Sequence, residues 1–334
     1  MESPTAVHLV LGLLLLTGLL LGLLASHWRL PRVPAYVLAG MLFSPALLGG
    51  WLDIQVGAWA EPLTSAALGI IAYLIGGSIT VGQLRRTGRI ILATTLGEAL
   101  VAAGSVFLAM LVLLPESVAG VPAPALAVAF GAIAAPTAPA ATIAVLHQYH
   151  ARGPMSSTLL GVVALDDAVG IILFALGSVA ITAASITSGL GGAAVELLGA
   201  ILLGLVVSWC SSRLAPHVIR DLRLPLVVAT ILLTLGLAER LGASPLLAAM
   251  TLGFASRVWL GAAGDRLLAP IEFFEELVFL IFFTVAGALF NPTVLTDHLG
   301  LVAVYFLARV VGKIGGAAAG ARLAGAPPEI WRWL

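Results

Sequence analysis

The chain has 334 residues, of which 60% are hydrophobic and only 10% charged, with a mean hydropathy of +1.12. Soluble domains carry nearer a quarter of charged residues, so this balance excludes an ordinary globular protein and places the chain in a membrane. Sixteen basic residues offset sixteen acidic ones, which leaves nothing to favour nucleic acid, and a single cysteine, Cys210, excludes a disulfide framework.

Eleven apolar segments are predicted, at 7–25, 33–50, 64–82, 90–114, 124–146, 157–184, 191–212, 224–240, 244–260, 271–290 and 299–322. Most approach the length needed to cross a bilayer core. The predicted class is an all-α polytopic membrane protein of about eleven transmembrane helices, one transmembrane domain over 1–334. The first segment is preceded by Glu2 and no basic residue, unlike a signal peptide, so it reads as a spanning helix. The eighth and ninth are short, and Glu239, Arg240 and Gly242 blur the boundary between them. Pro, Gly and small residues within the segments suit close helix packing in lipid.

Thirteen of the fifteen arginines fall on alternate connections: Arg29 and Arg32, then Arg85, Arg86 and Arg89, then Arg152, then Arg213, Arg220 and Arg223, then Arg257 and Arg266, and finally Arg322 and Arg332. The opposite connections carry Asp53, Glu61, Glu116 and Asp297, with Arg240 as the basic exception. By the positive-inside rule the N-terminus lies outside and the C-terminus in the cytoplasm.

Few charges remain at membrane depth: Glu98, Asp166, Asp167, Arg309 and Lys313, with Glu196 nearer an end. Asp166 and Asp167 have about nine apolar residues on each side, and a carboxylate there costs roughly 2.5–3.5 kcal/mol on insertion scales. Such a pair marks a site for ions or protons. Successive helix residues point about 100° apart, so the two carboxylates divide their labour. One pairs with a cation such as Lys313 and the other opens toward a water-filled cavity. Lys313 is the only lysine, and unlike arginine it can lose its proton when desolvated. The preceding segment holds Pro136 and Pro139, which remove backbone donors at a depth where broken helix is tolerated only inside protein or beside water.

Arg309 and Lys313 are four apart and share a helix face. Glu98 is read either as proton-linked or as a structural partner to Arg309, with the second preferred. Glu272, Glu275 and Glu276 are placed at the start of the tenth segment, where carboxylates favour a helix N-terminus. His147 and His150 flank a cytoplasmic turn and are read either as tuning a pH response, since imidazole titrates near neutrality, or as simply solvated, with the second preferred.

Taken together, Val33-Pro34 through Ala39-Gly40, Ala135-Pro136-Thr137-Ala138-Pro139, Leu165-Asp166-Asp167-Ala168, Leu237-Ala238-Glu239 with Leu241-Gly242-Ala243-Ser244, Phe282-Phe283-Thr284-Val285-Ala286-Gly287, and Arg309 with Lys313 resemble, in order, the blocks of the monovalent cation–proton antiporter superfamily. The branch resembled is the one with paired aspartates. The resemblance implies an inverted-repeat antiporter fold with a broken crossing helix, in which scaffold and dimer helices occupy approximately 1–80 and 191–290 and ion-binding core helices approximately 88–184 and 299–322. It implies sodium/proton exchange, with lithium or potassium as other cations, in a prokaryotic cytoplasmic membrane, by a homodimer without a cofactor. Asp167 is then the principal carboxylate for cation and proton, Asp166 pairs with Lys313, and Thr137 lies beside the ion. Two aspartates with a lysine resemble the electrogenic subgroup. Family members continue for two more helices, so the sequence also reads as lacking the last two, as a fragment or an incomplete crossing.

The rival readings are a membrane sensor or incomplete paralogue of the same fold, a carrier of another substrate, and an intramembrane enzyme. The Gly-x-Gly-Asp motif of aspartyl intramembrane proteases is absent, and Gly170 stands where Asp-Asp-x-x-Asp chemistry requires an acid.

Overall fold

The computed structural model describes residues 4–51, 56–57, 59–118, 121–182 and 186–332. Glu2, Asp53 and the side chains of Arg220, Arg266 and Glu272, all named in the charge analysis, lie outside the described residues. Helices form almost everywhere: α1 (Pro4–His27), α2 (Arg32–Leu42), a short α3 (Leu48–Trp51), α4 (Ala60–Ser78) and α5 (Val81–Leu113). A two-stranded hairpin, β1 (Ser117–Val118) and β2 (Val121–Pro122), leads into α6 (Ala123–Ala134), α7 (Pro139–Gln148), α8 (Pro154–Thr182) and α9 (Ile186–Leu214). The chain continues through α10 (Arg223–Leu241), α11 (Pro245–Leu260), α12 (Ala262–Leu289), α13 (Pro292–Asp297), α14 (Leu299–Leu323) and α15 (Pro328–Trp331).

Each of the eleven expected segments corresponds to helix, although several boundaries move. Eight described helical segments are long and apolar enough to cross a membrane, and Arg32–Leu42 and Pro245–Leu260 are shorter apolar helices. The second segment stops at Leu42, because Pro45 follows and cannot continue the backbone ladder. α5 begins at Val81, so Arg85, Arg86 and Arg89 occupy its first turns rather than a loop. The blurred boundary between the eighth and ninth segments is sharp in three dimensions. Gly242 adopts a left-handed φ of 66° after α10, a conformation in which glycine has no Cβ penalty. Ser244 then caps α11 by accepting from the Leu247 amide at 3.3 Å.

The fifth segment is split. α6 ends at Ala134 and α7 begins at Pro139. Pro136 and Pro139 lack N–H donors, and each disfavours helical geometry in the residue before it. Ala138 is accordingly extended, at φ −64° and ψ 108°. By contrast α8 runs unbroken through Asp166 and Asp167, so the pair neither caps nor ends a helix.

α5 packs along α14 and against α6 and α8, while α11 packs on α4 and α9, α12 on α2 and α4, α1 on α2, and α10 on α11. The two sets meet where α8 touches α9 and where α7 touches α2, α4 and α12. Polar links cross this boundary at the end of α7. His147 Nδ1 lies 2.7 Å from Glu275 Oε2 of α12, and Gln148 Oε1 accepts from the Arg32 amide at 2.9 Å. Arg32 Nη1 also pairs with Glu276 Oε1 at 3.0 Å, and the Tyr36 hydroxyl donates to the same oxygen. These contacts correct two expectations. His147 is not simply solvated, and Glu275 and Glu276 sit well inside α12 rather than at its start, because that helix begins nine residues before the apolar run.

Close approach in the first set rests on glycine. A Cβ on Gly316 of α14 would come within 2.8 Å of the Gly97 carbonyl carbon and 2.9 Å of the Glu98 Cα. Gly320 meets the Ala93 backbone and Gly312 the Ala102 Cα in the same way, a four-residue repeat of the small-residue kind that lets membrane helices touch. Gly315, one residue away, would meet nothing within 4 Å. Gly316→Leu is expected to lower stability by about 1–3 kcal/mol through overpacking, whereas Gly315→Leu changes it little. Thermal unfolding of the two purified variants in detergent checks this.

Candidate functional site

Four elements bring charged and hydroxyl groups together where α6 and α7 are broken. α8 supplies Asp166 and Asp167, the break supplies Thr137, α5 supplies Glu98, and α14 supplies Lys313 and Arg309. The break is held against α8 by Gly170, one turn beyond Asp166. A Cβ there would lie 3.0 Å from the Cβ of Pro136, so even the smallest side chain would push the break back by a few tenths of an ångström.

Lys313 Nζ is the hub. It donates to Asp166 Oδ2 at 2.9 Å, to Thr137 Oγ1 at 2.6 Å and to Glu98 Oε1 at 3.3 Å. An ammonium has three N–H donors, and all three have acceptors here. The Thr137 hydroxyl accepts from Lys313 and donates its own proton to Asp166 Oδ2 at 2.5 Å. Asp166 is 0% exposed and Glu98 8%, and only 14% of the Lys313 side chain is accessible. Such burial makes an unpaired charge expensive, by several kcal/mol per ion.

Asp167 faces a different direction, as the helical offset requires, and is half-buried. Its Oδ2 and the Oδ1 of Asp166 are buried and make no hydrogen bond among the described residues. These two oxygens, with the Thr137 hydroxyl nearby, are hard acceptors of the type that oxygen-coordinated cations use. Each of these oxygens has the chemistry to accept a small cation or to carry a proton.

Arg309 does not pair with Glu98. Its Nε donates to the Ala134 carbonyl at 3.0 Å and its Nη2 to the Pro136 carbonyl at 2.6 Å. The break frees these carbonyls at the end of α6, and a guanidinium with its forked donors matches two neighbouring acceptors. Glu98 is thereby left to Lys313. Of the residues read from the sequence, Asp166, Thr137 and Lys313 are in direct contact, and Asp167 adjoins them. Glu98 joins the same cluster by a route the sequence did not specify, and the role of Gly170 had no signal beyond being a glycine one turn from an aspartate.

The fold recurs among solved structures. No curated protein matches the chain significantly. Among solved structures the chain is similar to the sodium proton antiporter MjNhaP1 from Methanocaldococcus jannaschii. Against its structure at pH 8 the TM-score is 0.76 with 21% identity, over 100% of this chain and 82% of that one. Against an electron-microscopy structure of the same antiporter the TM-score is 0.78 with 20% identity, over 100% of this chain and 81% of that one. At such identity the likeness concerns the fold. The transmembrane family of sodium/hydrogen exchangers, however, matches residues 12–333 directly, so nearly all of the sequence, from the first helix through the broken crossing to α15, places this chain in that family.

Proposed function

We propose that the chain exchanges protons for a monovalent cation, sodium or alternatively lithium or potassium, across a cytoplasmic membrane. The observation that carries this reading is the buried contact of Lys313 with Asp166 beside a second aspartate that has an unpartnered buried oxygen. Asp167 holds either a dehydrated cation or a proton, not both. Asp166 and Thr137 complete the cation's oxygen shell. When Asp166 is protonated it loses its hold on Lys313, which links proton binding to rearrangement of α14 against α8.

In this reading the broken helix carrying Pro136 and Pro139 and the helix carrying Asp166 and Asp167 move as a unit against the remaining helices, which form the scaffold of a homodimer. Movement of this kind is the usual alternating-access mode of inverted-repeat carriers. The arginine distribution orients the N-terminus outside and the C-terminus in the cytoplasm. With two aspartates loaded by protons and one cation carried in return, each cycle moves a net charge. Membrane potential then contributes about 2.3 kcal/mol per net charge per 100 mV.

Everted vesicles carrying a proton gradient, reported by a pH dye, test the exchange. Addition of the transported cation collapses the gradient, and Asp167→Asn reduces this response to background. No response to sodium, lithium or potassium from well-inserted protein would overturn the reading. Electrogenicity is tested in proteoliposomes by clamping the potential. The cation ratio reached at equilibrium by the unsubstituted chain should shift about fiftyfold per 100 mV, and Asp166→Asn should lose that dependence while retaining exchange.

A further inference from the structure

We propose that Glu98 is the alternate counter-ion of Lys313: when the transported cation occupies Asp166 and Thr137, the ammonium passes to Glu98. The inference rests on the antiport reading and adds a residue to it.

A cation that takes Asp166 Oδ2 and the Thr137 hydroxyl competes with Lys313 for both, since the ammonium now donates to each. The displaced ammonium has nowhere wet to go, because its side chain is 14% accessible. An ammonium stranded at that depth costs several kcal/mol, and that cost would be subtracted from cation binding. Glu98 Oε1 stands 3.3 Å from Nζ, the longest of the three contacts, and a small rotation of the lysine side chain shortens it. Glu98 is itself buried, and its carboxylate accepts from Lys313.

The packing favours the transfer. Lys313 and Glu98 lie on α14 and α5, whose backbones touch on both sides of the pair, through Gly312 at Ala102 and Gly316 at Gly97. Gly312 immediately precedes Lys313 and Gly97 immediately precedes Glu98. The lysine–glutamate contact is thus internal to a tightly coupled helix pair. The contacts to Asp166 and Thr137 cross to α8 and to the broken segment. When the cation draws those two groups to itself, Glu98 remains where it was.

The test is a sodium titration of the purified full chain in detergent, with choline replacing sodium, read as the rise in Tm that a bound ligand confers. Glu98→Gln should weaken sodium binding at least about tenfold, and Glu98→Asp, which keeps the charge on a shorter arm, should recover part of the loss. Where Lys313→Gln is already present there is no ammonium to rehouse, so adding Glu98→Gln should change the sodium Kd less than about twofold. This double variant leaves no unpaired charge between the two positions and guards against a folding defect in Glu98→Gln alone. Unaltered sodium affinity in Glu98→Gln would overturn the proposal. So would an equal loss in the Lys313→Gln background, which would mean that Glu98 binds the cation itself. Failure of sodium, lithium and potassium alike to stabilise the unsubstituted chain would instead remove the antiport reading beneath it.

Discussion

One buried ammonium organises the centre of this protein. Lys313 is placed where water is scarce, and its three N–H donors must all find oxygen. They find it on three separate elements: a carboxylate of α8, a hydroxyl in the gap between α6 and α7, and a carboxylate of α5. The position of each element relative to α14 is therefore constrained by a single nitrogen atom. In a low-dielectric interior a half-satisfied network of this kind would be worse than an apolar core, so the break, the paired aspartates and the glutamate stand or fall together.

Small residues make that convergence sterically possible. The glycines of α14 bring its backbone against α5, and Gly170 lets α8 rest on Pro136. Side chains at these positions would press the helices apart and lengthen the contacts of the ammonium. The second set of helices uses the same device on its own account, with Gly40 against the Thr284 backbone, and Gly76 against that of Met250. Between the sets an apolar seam that includes Ile143 and Ala144 of α7 is joined by polar links at the end of that helix, where His147 and Gln148 reach α12 and α2.

Much of the site was legible in the sequence because its chemistry is local. A pair of aspartates, a lone lysine and two prolines three apart are each improbable inside apolar helix, and each announces a constraint without reference to neighbours. The eleven segments were legible for the same reason. What escaped was whatever depends on competition among partners in space. Arg309 was expected to need a carboxylate, yet the carbonyls freed by the broken helix serve it as well, and this decides that Glu98 goes to Lys313. Helix starts were also missed where polar residues precede the apolar run, as at Val81 and Ala262. Hydropathy reports where lipid begins, whereas the backbone ladder extends beyond it.

The clasp of Arg309 on α6 separates two kinds of charge within a few residues of one helix. A guanidinium does not lose its proton under any condition a protein survives, and its acceptors at Ala134 and Pro136 are amide carbonyls, which do not ionise. The open end of the broken helix is thus secured by a bond indifferent to acidity. One helical turn away, the ammonium of Lys313 and the carboxyl groups of Asp166 and Glu98 all belong to classes that can exchange protons. Gain or loss of a proton at those carboxyl groups would change the charge beside the break, whereas the bonds that hold the open end of α6 involve no group that titrates.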